Sequence, residues 1–193
     1  MVAQILTTLF MNTFTGLICI VLIFFGLTVS AQKKYVIEKG EIDFSSNATL
    51  ELIKATSTKI QGIVDSKTSQ FAFIVSIKSF EGFNSNLQKE HFNEKYLESD
   101  RFFDATFTGK IAEPVDFSKD GETNVNAKGT LVIHGKKQIR SLPSKMIIEK
   151  GKLRIESTFT VVLADHEIKI PTIVTEKIAT EILVHLNVTM IQK

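Results

Sequence analysis

Residues 69–80 read SQFAFIVSIKSF. Phe71, Phe73, Val75 and Ile77 fall on one side of an extended chain, with Ala72, Ile74, Ser76 and Lys78 on the other. A period of two marks a strand with one buried face. The stretch KLRIESTFTVVL (152–163) repeats the pattern, setting Leu153, Ile155, Phe159, Val161 and Leu163 against Arg154, Glu156, Thr158 and Thr160. Near the end, Ile182, Val184, Leu186, Val188 and Met190 alternate with Leu183, His185, Asn187 and Thr189.

Weaker runs of the same kind occupy 34–44, 48–56, 59–64, 104–112, 122–134, 137–142 and 145–149. Turn formers separate several of them: Ser45-Ser46-Asn47, Asp65-Ser66, Lys119-Asp120-Gly121 and Lys150-Gly151-Lys152. One segment breaks the alternation. Residues 86–99, NLQKEHFNEKYLES, are rich in helix formers, with Leu87, His91 and Glu94 or Lys95 on one side and Phe92 and Tyr96 spaced i,i+4 beside them. No Pro/Gly linker or repeat divides the chain. An all-β antiparallel barrel with one short helical insertion follows, because closure removes strand edges that would otherwise pair with other chains.

Composition narrows the function. The chain has 193 residues and a net charge of +2, which gives no electrostatic footprint for nucleic acid. Its single Cys, Cys19, lies in an uncharged stretch covering residues 1–31. That stretch contains GLICIVLIFFGLTV (16–29), too short for a comfortable membrane span, followed by the small-residue site Val29-Ser30-Ala31. The pattern predicts a signal peptide over 1–31, cleaved after Ala31, and one domain over 32–193 with no membrane span after cleavage. Residues 1–15 carry no Lys or Arg, unlike the usual start of such a leader, so an uncleaved N-terminal anchor is the competing reading. A mature chain without thiols excludes internal disulfides, Cys-ligated metals and Cys nucleophiles.

Catalytic signatures are poor. There is no phosphate-binding Gly loop, G-x-S-x-G elbow or H-E-x-x-H motif. His91 and Glu94 could face one metal from a helix, but no second pair accompanies them. His166, in LADHEIKIP, reads as a solvated β-turn residue, and His185 as an outward one. His134 ends a strand beside Gly135, either lining a barrel mouth or simply closing the strand. No arrangement suggests a catalytic triad, so the expectation is no enzyme, no cofactor and no metal. The notable bias is aromatic: 15 Phe, 2 Tyr and no Trp. Phe80, Phe83, Phe92, Tyr96, Phe102, Phe103 and Phe107 crowd around the helix. Either these rings fill a core or some of them wall a cavity. An eight-stranded barrel has the size at which both occur.

The stretch SFEGFNSNLQKEHFNEKYLESDRFFDATFTGKI (79–111) resembles the YceI-like family of bacterial secreted, polyisoprenoid-binding, lipocalin-like proteins. The likeness continues through KGTLVIHGKK (128–137), STFTVVLADHEIKIPTIVTEKIATEI (157–182) and, upstream, ATSTKIQGIVD (55–65), and so covers the mature chain in order. The resemblance implies an extended eight-stranded antiparallel barrel with a helix near its mouth, a long isoprenoid or fatty lipid as partner, periplasmic or secreted location, and no catalysis. The residues expected to meet the lipid are Phe73, Phe80, Phe83, Phe92, Phe103, Phe107 and Phe159. The polar groups expected nearest its head are His91, Asn93, Tyr96 and His134. The competing function is a stress-response or interaction protein using the barrel as scaffold without a lipid. A homodimer through the rim or one strand edge stays open. Two departures stand out: Phe102-Phe103 replaces the family's Tyr-Pro turn, and Lys136 follows I-H-G where a small or apolar residue is usual.

Overall fold

A computed structural model describes residues 33–193. The expected leader, Cys19 included, lies outside the described residues. Among the described residues, nine strands form one antiparallel sheet: β1 (Lys34–Asn47), β2 (Leu52–Ser57), β3 (Gln61–Asp65), β4 (Gln70–Ser76), β5 (Asp104–Ile111), β6 (Gly121–Ile133), β7 (Lys136–Glu149), β8 (Lys152–Val162) and β9 (Glu181–Gln192). β9 pairs back onto β1, from Tyr35↔Gln192 to Ser45↔Leu183, and closes the sheet.

The expected count of eight and the observed nine agree in substance. β2 and β3 both lie on one side of β1 and keep a single register along it, from Asn47↔Leu52 and Ile42↔Ser57 to Val36↔Ile63 and Lys34↔Asp65. They are one strand interrupted at 58–60, so the closed barrel has eight strand positions. Only the β3 part continues the wall to β4. Beyond it, β2 meets the rest of the wall through a lone bridge, Thr56↔Glu81, just ahead of the helix.

Two features re-aim the inward faces. β1 carries a bulge at Glu38, where its register against β9 slips by one residue. Tyr35 and Ile37 face the core before the bulge, and Ile42, Phe44 and Ser46 after it. In β7, the expected segments 137–142 and 145–149 are one continuous strand through Pro143. Pro143 has no N–H to donate, and the β7–β8 ladder begins only at Ser144↔Ser157. Beyond that point the two strands diverge toward the mouth, and Arg140 spans the gap through Nη2 to the Thr160 carbonyl at 2.8 Å.

Tight turns follow their residues. His134-Gly135 joins β6 to β7 with φ of 52° and 70°, and Lys150-Gly151 joins β7 to β8 with φ of 50° and 76°. Both residues left-handed is the two-residue hairpin turn that matches strand twist. Gly109 and Gly129 face each other across β5 and β6; a Cβ on Gly109 would fall 2.1 Å from the Lys128 carbonyl oxygen. No side chain fits this bend.

The helical insertion is shorter than 86–99 and changes pitch. Helix α1 (Asn86–His91) is capped by Ser85, whose hydroxyl accepts the Gln88 N–H at 3.1 Å. A single π-turn over Phe92–Tyr96 follows, with the Leu97 N–H reaching back to the Phe92 carbonyl at 2.9 Å. The wider turn brings His91, Phe92, Tyr96 and Leu97 all onto the barrel side, while Glu94 and Lys95 stay exposed. Among the described residues, no helix is long and apolar enough to cross a membrane.

Candidate functional site

The barrel has two unlike halves. At one end, Tyr35, Met146, Leu153, Val188 and Met190 are each no more than 2% exposed and fill the interior. The β5–β6 connection caps this end, with Phe117 lying 5.8 Å from the Tyr35 ring between centroids. Above this plug lies a small void of about 90 Å³ among Phe71, Phe73, Phe107, Ile111 and Met146. The far half is hollow, with a cavity of about 430 Å³. The two spaces adjoin: Ile42, Val75, Ala105, Leu131 and Phe159 line both. An interior either filled or hollow, as the barrel size allowed, is here filled at one end and hollow at the other.

Both long connections at the hollow end cover the mouth. The β4–β5 connection contributes α1 and the π-turn. The β8–β9 connection contributes Leu163, Ile168, Ile170, Val174 and Ile178 to the lining. Hydrogen bonds stitch this rim together. Gln88 donates through Nε2 to Glu51 Oε1 at 2.9 Å, Leu50 N–H donates to the Glu176 carbonyl at 2.8 Å, and Ala179 N–H donates to Ser46 Oγ at 2.9 Å.

An aromatic cluster forms the wall under the helix. Phe92 stacks on Phe44 with centroids 5.3 Å apart and planes 17° apart. Phe83 lies 5.0 Å from Phe92, and Phe80 5.4 Å from Phe44. Offset and tilted contacts at this spacing suit the ring quadrupoles. A second group, Phe71, Phe73 and Phe107, sits lower, with Phe71 and Phe107 4.9 Å apart.

Of the residues expected at a lipid site, Phe80, Phe83, His91, Phe92 and Tyr96 line the large cavity, Phe73 and Phe107 the small void, and Phe159 both. Burial pushes the Tyr96 hydroxyl above its ordinary range, which keeps it an O–H donor. The remaining three sit elsewhere. Phe103 is 61% exposed on the outside. Asn93 ties the π-turn together, donating through Nδ2 to the Lys89 carbonyl at 2.9 Å and accepting from the Ser99 hydroxyl at 2.9 Å. His134 is buried outside the cavity, its ring 4.6 Å from Phe102.

His166 corrects the sequence reading outright. It is fully buried rather than solvated, at the end of a 3₁₀ turn over Leu163–His166. Its Nδ1 lies 3.3 Å from the Ile133 carbonyl, and its Nε2 has no hydrogen-bond partner. His185 does face outward, with Nδ1 2.8 Å from the Thr158 hydroxyl across the ladder. Both family departures are accommodated locally: Phe102 packs over Gly135, and Lys136 pairs with Glu167 at 2.7 Å.

Sequence reasoning missed Phe44, the ring at the centre of the aromatic cluster, because the bulge at Glu38 breaks the parity of β1. It also missed the β8–β9 connection, whose apolar residues Ile168, Ile170 and Ile178 form no strand. Their density was the available signal.

Several solved structures share this fold. A polyisoprenoid-binding domain from Saccharophagus degradans, implicated in plant cell wall breakdown, aligns with a TM-score of 0.70 at 15% identity, covering 82% of this chain and 98% of that one. BcnA of Burkholderia cenocepacia aligns at 0.66 and 13% identity, over 78% of this chain and 95% of that one. The Campylobacter jejuni YceI protein aligns at 0.51 and 16% identity, over 84% and 86%. No curated protein matches the sequence. The pattern of the YceI-like domain matches residues 33–190, from just before β1 to near the end of β9, and the protein belongs to the YceI-like family.

Proposed function

We propose that this protein is exported to the periplasm and there holds one long apolar chain, an isoprenoid or a fatty lipid, in the hollow half of its barrel. The observation that carries this reading is the cavity of about 430 Å³, walled by Phe44, Phe80, Phe83, Phe92 and aliphatic side chains from both rim connections. Folded interiors pack like organic crystals and leave few voids larger than a water. A void of this size lies within the range of small-molecule sites. The adjoining small void extends the path toward the plug.

Transfer of the chain from water supplies the affinity. At about 0.8 kcal/mol per buried CH₂, two or three isoprene units contribute roughly 8–12 kcal/mol. That offsets an association cost of several kcal/mol. Binding of this kind needs no base, nucleophile or metal. The likeness to a domain described as polyisoprenoid-binding supports the same class of ligand. The hollow interior favours this reading over a barrel serving only as scaffold.

Solvent extraction of the protein purified from the periplasm tests the proposal. A stoichiometric apolar chain in the extract is expected. An extract free of lipid, from protein that also fails to take up a C20 prenol, would contradict it.

A further inference from the structure

The polar side chains of the large cavity fall into two sets. The wall consumes the first. Ser46 Oγ accepts the Ala179 N–H, Ser85 Oγ accepts the Gln88 N–H, and Glu51 accepts from the side-chain amides of Gln88 and Asn84 at 2.9 and 3.4 Å. The second set comprises His91, Tyr96 and Lys177. Their side chains line the cavity and have no hydrogen-bond or ion-pair partner among the described residues. Each offers at least one N–H or O–H, and among the described residues Lys177 is the single lysine or arginine in the lining.

A lining that leaves the donors of three side chains unmet is complementary to an acceptor-rich head. We propose that the cavity selects an apolar chain ending in an anionic head, a phosphate or a carboxylate, with Lys177 at the rim supplying the charge and Tyr96 and His91 the hydrogen bonds. This rests on the chain-binding reading above. The three donors come from both rim connections: His91 from the end of α1, Tyr96 from the π-turn and Lys177 from the β8–β9 connection. A head held among them bridges the two segments that cover the mouth. Glu51 opposes the anion, but its Oε1 is engaged by Gln88 and Asn84, which holds the carboxylate against the wall, and Glu176 beside Lys177 is exposed and does not line the cavity. Ammonium-to-phosphate and ammonium-to-carboxylate hydrogen bonds are among the stronger ones, so the head discriminates while the tail supplies most of the affinity.

The test compares three probes on the mature protein by displacement of a fluorescent fatty probe: a C20 prenol, the C20 prenyl monophosphate and the C20 prenylamine. The monophosphate is expected to bind at least tenfold more tightly than the prenol, and the amine more weakly than either. Lys177→Gln should bring the monophosphate within threefold of the prenol, Lys177→Arg should keep the gap, and Glu51→Gln should widen it. Inorganic phosphate at the same concentration should displace nothing; its displacing the monophosphate would point to a free-anion site and overturn the proposal. Equal binding of prenol and monophosphate, or tightest binding of the amine, would also overturn it while leaving the chain-binding reading intact. Binding of none of the three would instead sink that reading itself.

Discussion

The imidazole of His134 joins the segment after the π-turn to the exit of β8: its Nε2 lies 3.0 Å from Glu98 Oε1 and its Nδ1 3.0 Å from the main-chain carbonyl of His166. The ring thus ties the β6–β7 hairpin to both connections that cover the cavity mouth. Three non-glycine residues with left-handed backbone, Glu98, His134 and Glu167, gather at this junction with φ of 43°, 52° and 55°. Such conformations persist where surrounding contacts over-determine them.

His134→Ala should therefore loosen the mouth. It removes a buried ring and leaves the His166 carbonyl without its side-chain donor. A loss of about 2–3 kcal/mol is expected in urea unfolding, with faster amide exchange in 97–102 and 163–168 than in β6. A loss below about 0.5 kcal/mol, the scale of an ordinary surface change, would show that the junction does not depend on this ring.

His166 makes stability depend on pH. Burial holds its imidazole below the ordinary value of 6.5, outweighing the main chain of Ile133 and Lys136 and the Asp165 carboxylate, which favour the charged ring, while Arg140 disfavours it. With the folded pKa depressed, the contribution is fully present above the unfolded value and is lost as pH falls from there through the folded one, because the unfolded chain takes up the proton first. Unfolding free energy should fall as pH drops below about 6.5, and His166→Phe should flatten that slope. An unchanged slope in the variant would assign the pH dependence to other groups.

The bend at Gly109 admits no side chain. Gly109→Ala places a Cβ against backbone atoms of Lys128 and Gly129 that cannot rotate aside. A loss of roughly 1–3 kcal/mol is expected, read as a lower thermal midpoint, whereas Gly121→Ala, with nothing within 4 Å of the added carbon, should cost far less. Equal effects at the two positions would contradict the close approach of β5 and β6.

Lys136, one of the family departures, contributes little to stability despite its ion pair. Both partners are substantially exposed, at 42% and 64% of the side chain. Lys136→Ala should change unfolding free energy by less than about 1 kcal/mol. A larger loss would mean that the pair anchors the β8–β9 connection.

Much of this architecture is legible in the sequence. The alternation in 69–80, 152–163 and 181–190 identifies β4, β8 and β9 and their inward faces, because a period of two has one geometric meaning in a half-buried strand. Other features depend on events that leave little trace in a local pattern. The bulge at Glu38 inverts the parity of β1 and hides Phe44. Pro143 reads as a break between strands, yet it sits where the neighbouring ladder has already parted. The LADH segment looks like a polar turn, and only the packing of the β6–β7 hairpin against it buries His166. At the site, the Phe cluster near α1 is legible from its density. Lys177 is not, since an exposed lysine in a connection acquires its meaning only when the connection folds over the mouth.

Ala105 gives access to the hollow half of the barrel. Ala105 lines both the large cavity and the small void, so Ala105→Phe should close the passage between them without touching the rim. Native mass spectrometry of delipidated mature protein, titrated with prenols of increasing length, reads occupancy and stoichiometry together. One prenol per chain is expected, with the longest prenol accepted by the wild-type protein lost from Ala105→Phe and shorter ones retained. No adduct at any length, or identical length limits for the two proteins, would contradict a chain-holding interior.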